Sequence, residues 1–162
     1  MSANNGLPLD WRDQLAAKLG ARPRRIGPWA EMALFGALQC LASHGLARLS
    51  PHAVLRVSSA FGPIDALALV GAACEDGLLP MPFDFLQSQP SQMLAALSQH
   101  LQWRGDGSFV ALDDWPALTV RAAQEVAYLK RQAEAASQPF AGLLLGRVDV
   151  GPWPCSHWQW FT

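Results

Sequence analysis

Apolar residues recur at helical spacing along several long stretches of the chain. A long helix is predicted over residues 28–44, with Pro28 suited to its first turn and Gly45 to the position after its end. This helix is apolar on nearly all faces, which is typical of a helix at the centre of a fold. A shorter helix is predicted over residues 10–19, with Gly20 as its stop.

Short apolar runs alternate with further helical segments. Strands are predicted at residues 53–57, 108–112 and 141–148, and helices at residues 64–75, from 88 or 90 to 101, and 115–136. Residues 80–87 contain two prolines, which favour an extended segment over a helix. This alternation predicts an α/β protein, a layered fold in which helices pack on a mixed sheet with some parallel pairing.

Composition agrees with one well-packed domain. The 162 residues are 51% hydrophobic and only 15% charged, whereas an average soluble domain is about 25% charged. Disorder is therefore excluded for the body of the chain. No apolar stretch approaches the ~18 residues of a membrane span. A domain with so little charge is expected to cover part of its surface with a partner protein.

Charge and cysteine content narrow the function classes. The net charge of −1 provides no positive electrostatic field that would attract nucleic acid. Cys40, Cys74 and Cys155 lack the spacing of a disulfide framework or a zinc site, and no cofactor or metal is expected. Cys40 and Cys74 are expected to pack inside apolar helices. Because the N-terminus has no signal-peptide pattern, the protein is expected in the cytoplasm with reduced thiols.

Two places in the sequence carry candidate catalytic chemistry. Asp113 and Asp114 lie between a predicted strand and a predicted helix, where helix capping is favoured over catalysis by a carboxylate pair. Cys155 and His157 are only two residues apart, which is too close in an extended chain for the histidine to act as the base for the thiol. A surface thiol is the favoured interpretation of Cys155.

Two further features point to partners. Arg22, Arg24 and Arg25 form a basic run, interpreted either as solvated charge or as a docking site for an acidic carrier protein. The last residues form an aromatic tail with four large rings, at Trp153, Trp158, Trp160 and Phe161. Such a tail either packs back on its own domain or inserts into another chain.

Several short motifs occur in a characteristic order over residues 24–150. The first strand ends in a Phe-Gly turn at Phe61, a Phe-x-x-Ser element begins at Phe85, and Ser91 follows at a position where an asparagine is expected. The last strand ends at Asp149 after a glycine. This order resembles the N-terminal half of a β-ketoacyl synthase, and most closely its chain-length-factor type. The resemblance implies a layered, half-thiolase-like fold.

The resemblance also implies what the chain does. The position of the family's nucleophilic cysteine falls at Asp113 or Asp114. The family's histidines lie in its second half, which is not expected among these residues. The implied function is a non-catalytic subunit, in a heterodimer or heterotetramer, that stabilises a full-length active β-ketoacyl synthase and shapes its acyl tunnel. The implied setting is type II polyketide or fatty-acid synthesis, with aryl polyene pigments as the specific expectation.

The implied organisation is an N-terminal arm with a short helix (1–23), a ketosynthase-like domain (24–150) and the aromatic tail (151–162). By resemblance, residues 108–112 form the seam with the partner. An acyl carrier protein is the further candidate partner, for the alternative in which the arginine run is a docking site. The implied interface and tunnel residues are Phe83, Phe85, Gln87, Gln92, Met93, Leu97, Phe109, Val110 and Leu112. The same side chains could instead fill the core of this chain. The rival functions are a small cysteine- or carboxylate-dependent hydrolase and a carrier-protein-binding adaptor.

Overall fold

The computed structural model describes residues 7–152 and 154–162. The helices within those residues are α1 (Trp11–Leu19), α2 (Gly27–Ser43), α3 (Ile64–Glu75), α4 (Pro82–Gln87), α5 (Pro90–His100) and α6 (Trp115–Ala136). The strands are β1 (Ala53–Ser59), β2 (Gly107–Ala111), β3 (Gly142–Asp149) and β4 (Cys155–Phe161). Every helix and strand predicted from the sequence is present at close to its predicted bounds. None of the helices among the described residues is both long and apolar enough to cross a membrane.

The strands form one mixed sheet in the order β2-β1-β3-β4. β1 is parallel to β2 and β3, and β4 is antiparallel to β3. Successive strand residues point to opposite faces of a sheet. Leu55 and Leu144 accordingly pack under α2 and α5 on one face, while Val54 and Leu145 pack under α6 on the other. The predicted layered, mixed α/β fold is confirmed.

Helix α2 is the centre of the larger core, as its apolar pattern predicted. Its residues from Trp29 to Ala37 are all buried. The indole Nε1 of Trp29 donates a hydrogen bond to the backbone oxygen of Val148 at 2.9 Å, which ties the start of α2 to β3. Pro28 lies in the first turn of α2, where a missing N–H costs nothing.

Residues 80–87 differ from the prediction of an extended segment, because residues 82–87 form the helix α4. Pro82 occupies the first turn of this helix, where proline is compatible with helical geometry. Met81, the residue before it, is extended, as the residue before a proline prefers. Two prolines therefore place the start of a helix here rather than excluding one.

The aromatic tail packs back on its own domain. Residues 155–161 are the edge strand β4, and Trp158 is buried against α2 and β3. The hydroxyl of Ser156 donates to the backbone oxygen of Met32 at 2.7 Å. The boundary expected at residue 150 thus lies between two neighbouring strands of one sheet. Trp153 lies outside the described residues.

A glycine in α2 makes the close approach of β4 possible. A Cβ atom on Gly36 would lie 2.2 Å from Ser156 Oγ and 2.3 Å from the ring of Trp158. We predict that Gly36→Val lowers the free energy of unfolding by about 2 kcal/mol through overpacking. Gly71→Ala is the control, because Gly71 lies in α3 with open space around it, and it should be neutral or stabilising by up to about 1 kcal/mol. Urea denaturation measures both, and equal stabilities would show that β4 does not dock on α2.

Candidate partner interface and the strand-end cluster

The parallel strands β1, β2 and β3 end at the same edge of the sheet, where open α/β sheets usually place their ligand sites. The polar side chains gathered there are Ser59, Asp113, Arg147, Asp149 and Cys155. This strand-end cluster is the place where the sequence analysis expected a degenerate nucleophile.

Asp149 is the centre of the strand-end cluster, and it is 1% exposed. Its Oδ1 accepts hydrogen bonds from the Ser59 hydroxyl at 2.5 Å and from the backbone N–H groups of Ala60 at 2.8 Å and Phe61 at 3.2 Å. Its Oδ2 pairs with Arg147 Nε at 3.1 Å. Burial opposes ionisation of Asp149, but these hydrogen bonds outweigh it and hold the pKa of the carboxyl below its usual value.

The two acids at the expected nucleophile position are both engaged in structural contacts. Asp114 caps α6, since its Oδ1 accepts a hydrogen bond from the backbone N–H of Ala117 at 2.9 Å. Asp113 forms an ion pair with the guanidinium of Arg147. The capping interpretation is confirmed for Asp114. Asp113 instead links the loop before α6 to β3.

Cys155 is not an activated thiol. Burial and, after it, the nearby Asp149 carboxylate raise its pKa, whereas a nucleophilic cysteine has a lowered one. His157 packs its ring against the edge of Trp115 at a centroid distance of 4.3 Å, and burial followed by the Arg147 charge lowers its pKa. Burial raises the pKa of Cys40 to about 11. Over the described part of the chain, no group of three His, Cys, Asp or Glu side chains is placed to hold a metal.

Helices α3 and α4 and the segment between them present a large exposed apolar surface, called here the α3–α4 face. Nine of the twelve residues of α3 are apolar, yet none of them is buried. The main contact of α3 is with α4. The large exposed side chains of this face are Ile64, Leu67, Leu69, Leu78, Leu79, Met81, Phe83, Phe85 and Leu86.

Cys74 corrects one expectation on this surface. Cys40 is buried, as predicted, but Cys74 on α3 is exposed. Both cysteines have apolar neighbours in sequence, and only the neighbouring elements decide whether those neighbours are covered. A soluble domain rarely exposes as many large apolar side chains on neighbouring helices as the α3–α4 face does unless another molecule covers them.

The predicted interface residues of α4 and α5 divide between surface and core. Phe83 and Phe85 are exposed on α4, at 41% and 52%. Gln87 is half-buried and Gln92 is exposed. Leu97 is fully buried, so it belongs to the core of this chain and its expected place in the interface is corrected.

Met93 is 1% exposed and also packs in the core. It nevertheless lines a surface crevice next to Gln87 and Gln92. Met93 is therefore a core residue of this chain and also part of the lining of a surface crevice.

The expected seam strand, β2, is an edge strand in the described part of the chain. Phe109 packs edge-on against Trp29 with a centroid distance of 5.6 Å, and Val110 packs toward α6. Leu112, just beyond β2, is 37% exposed.

The register of β2 against β1 decides which of its amides face outward. The backbone N–H of Leu55 donates to the backbone oxygen of Asp106, and residue Leu55 lies opposite Gly107. In this parallel register the amides of residues 108 and 110 face β1, and those of 109 and 111 face outward.

The arginine run lies beside α4. Arg22 pairs at 3.4 Å with the buried Glu31, which also pairs with Arg12 of α1 at 3.2 Å. Arg24 and Arg25 are exposed and line a shallow groove together with Phe83 and Gln87. The run is therefore partly anchored and partly available to solvent.

Comparisons with known proteins find a similar fold. No protein-family model matches the chain, and no curated protein does. A solved structure does match, that of a ketosynthase (ApeO) in complex with its chain length factor (ApeC) from Xenorhabdus doucetiae, with a TM-score of 0.57 and 14% sequence identity. The match covers 98% of this chain and 74% of that one. The chain thus has a ketosynthase-like fold of the thiolase class, which confirms the predicted resemblance at the level of fold.

The Asp149 network predicts a pH-dependent stability. Asp149→Asn should lower the free energy of unfolding by about 2 kcal/mol at pH 7, because it removes a buried charge that accepts hydrogen bonds from Ser59 and two backbone amides and pairs with Arg147. The folded pKa of Asp149 is below the unfolded value of about 4. Its stabilisation is therefore complete above that value and is lost as the pH falls through the folded pKa.

The difference between wild type and Asp149→Asn should accordingly shrink below about pH 4. Urea denaturation from pH 7 to pH 3 measures it. Asp76→Asn, in an exposed turn, is the control and should stay within about 0.5 kcal/mol of wild type. A pH-independent difference would contradict the ionised role of Asp149.

Proposed function

We propose that this protein is a non-catalytic ketosynthase-like subunit that binds a full-length active β-ketoacyl synthase, stabilises it and shapes its acyl tunnel. The observation that carries the proposal is the α3–α4 face, where nine large apolar side chains are exposed on a ketosynthase-like fold. A surface of this kind is typical of an obligate interface, which buries about 2,000 Å² or more.

The strand-end cluster supports a role without condensing chemistry. Thioester attack needs a thiolate, and the expected position holds Asp113 and Asp114, which pair with Arg147 and cap α6. The nearby thiol of Cys155 has a raised pKa. These groups stabilise the fold at the point where an active ketosynthase would carry its nucleophile, and they equally disfavour the rival hydrolase.

The outward edge of β2 is the proposed seam with the partner. Its exposed backbone groups have no charged or proline residue beside them between Gly107 and Ala111, and soluble proteins usually blunt such edges. Helix α5 packs against both α4 and β2. The seam and the α3–α4 face thus flank one helix and suit a single large partner.

The proposal includes a cellular setting. The similar structure is a ketosynthase with its chain length factor, and the chain is proposed to act likewise in the cytoplasm, in type II polyketide or fatty-acid synthesis such as aryl polyene assembly. The complex is a heterodimer or heterotetramer. Arg24 and Arg25, exposed beside α4, are the proposed contact for an acyl carrier protein.

The isolated chain should have no condensing activity. Incubation with malonyl- and acyl-carrier protein should release no product above background, because no thiolate is available at the α6 N-terminus. Mass spectrometry of the carrier-bound products measures this. A ketosynthase with its cysteine intact, assayed in parallel, is the positive control. Turnover by this chain alone would contradict the non-catalytic role.

Interface variants test the proposed surfaces. Leu67→Glu places a charge in the α3–α4 face and should weaken binding to the partner β-ketoacyl synthase by about 100-fold. Ala111→Pro removes an outward amide of β2 while leaving the amides toward β1 intact, and it should also weaken binding. Tyr128→Glu, equally exposed on α6 across the sheet, is the control and should bind like wild type.

Sedimentation and titration calorimetry of the three variants measure these affinities. Leu67→Glu binding as tightly as wild type would contradict the α3–α4 face as an interface. Unchanged binding by Ala111→Pro would contradict the β2 seam.

A further inference from the structure

A crevice of about 160 Å³ opens between the first turn of α2 and the inner side of α3. It exists because α3 packs mainly on α4 and leaves a gap above the core. Its walls are largely apolar, with Trp29, Ala66, Leu69 and Met93 among them, and the polar side chains along it are those of Asp65, Gln87 and Gln92. No side chain among the described residues fills it.

The size and chemistry of the crevice select its occupant. A cavity of about 150 Å³ with apolar walls takes up a benzene-sized molecule, whereas sites for larger ligands and cofactors measure about 300–1,000 Å³. The crevice therefore accommodates one aromatic ring. The amides of Gln87 and Gln92 can each donate and accept a hydrogen bond, which suits the backbone of the segment that carries the ring.

The crevice is continuous with the surface proposed to bind the partner. Leu69 belongs to both the crevice and the α3–α4 face, and it is 58% exposed. Gln87 links the crevice to the groove beside Phe83. Binding energy in protein interfaces is concentrated where a large side chain of one partner fills a pocket of the other.

We propose that the crevice is the receptor for a single aromatic side chain that projects from the partner ketosynthase. This inference rests on the proposed function and makes the α2–α3 gap the centre of the interface. It assigns the specificity of pairing to the lining of the crevice, while the rest of the α3–α4 face contributes non-specific apolar contact.

The test fills the crevice from within. Ala66 is half-buried and lines it, so Ala66→Trp should occupy the space of the incoming ring and weaken the complex at least 30-fold, with Ala66→Leu giving a smaller loss. Ala127→Trp adds the same ring at an exposed position of α6, outside the proposed interface, and should change affinity less than 3-fold. Circular dichroism checks folding, and Ala66→Leu carries the test if the tryptophan variant does not fold.

A scan of the partner identifies the ring. Each exposed aromatic residue of the ketosynthase is changed to alanine and titrated against wild type and Ala66→Trp. One substitution should weaken binding to wild type by 10-fold or more and have no further effect with Ala66→Trp. Unchanged affinity of Ala66→Trp, or additive losses for every aromatic residue, overturns the receptor role and leaves the proposed function standing. Failure of wild type to bind at all overturns both.

Discussion

The buried carboxylate of Asp149 organises the edge of the sheet where chemistry would be expected. It accepts hydrogen bonds from the turn after β1 and pairs with Arg147 of β3. Arg147 in turn reaches Asp113 at the start of α6. A buried ion must be compensated by such contacts, so the polar groups of these three segments hold one another in place. The strand ends are consequently rigid and structural.

Because the strand-end side chains are engaged with one another, the candidate functional features lie on the outer surface of the fold. The edge of β2 and the α3–α4 face have backbone and apolar groups that the described residues leave uncovered. Helix α5 contacts both α4 and β2, and β2 lies at the opposite edge of the sheet from β4. With the strand ends filled by ion pairs of this chain, the exposed apolar side chains of α3 and α4 are the features that the proposed partner would cover.

The sequence predicts the elements whose ends carry local signals, and it does not predict which surfaces are covered by other elements. Helix α6 is found at its predicted bounds because its cap, Asp114, and its apolar period are local signals. The start of α4 was missed because Pro82 is read equally well as a breaker or as a first-turn residue. Phe83 is exposed and Leu97 is buried, although the sequence placed both in the same expected interface, because an apolar residue on α4 or α5 carries no local sign of what covers it. The same holds for α3 and Cys74.

Hydrogen–deuterium exchange tests the central claim most directly. The chain would be measured alone and bound to the proposed partner, a full-length β-ketoacyl synthase. The account predicts that binding protects the amides of α3, α4 and β2, while those of α6 exchange as they do in the free chain. Unchanged exchange in α3 and α4 in a complex that has formed, with protection confined to α6 or β4, would contradict it.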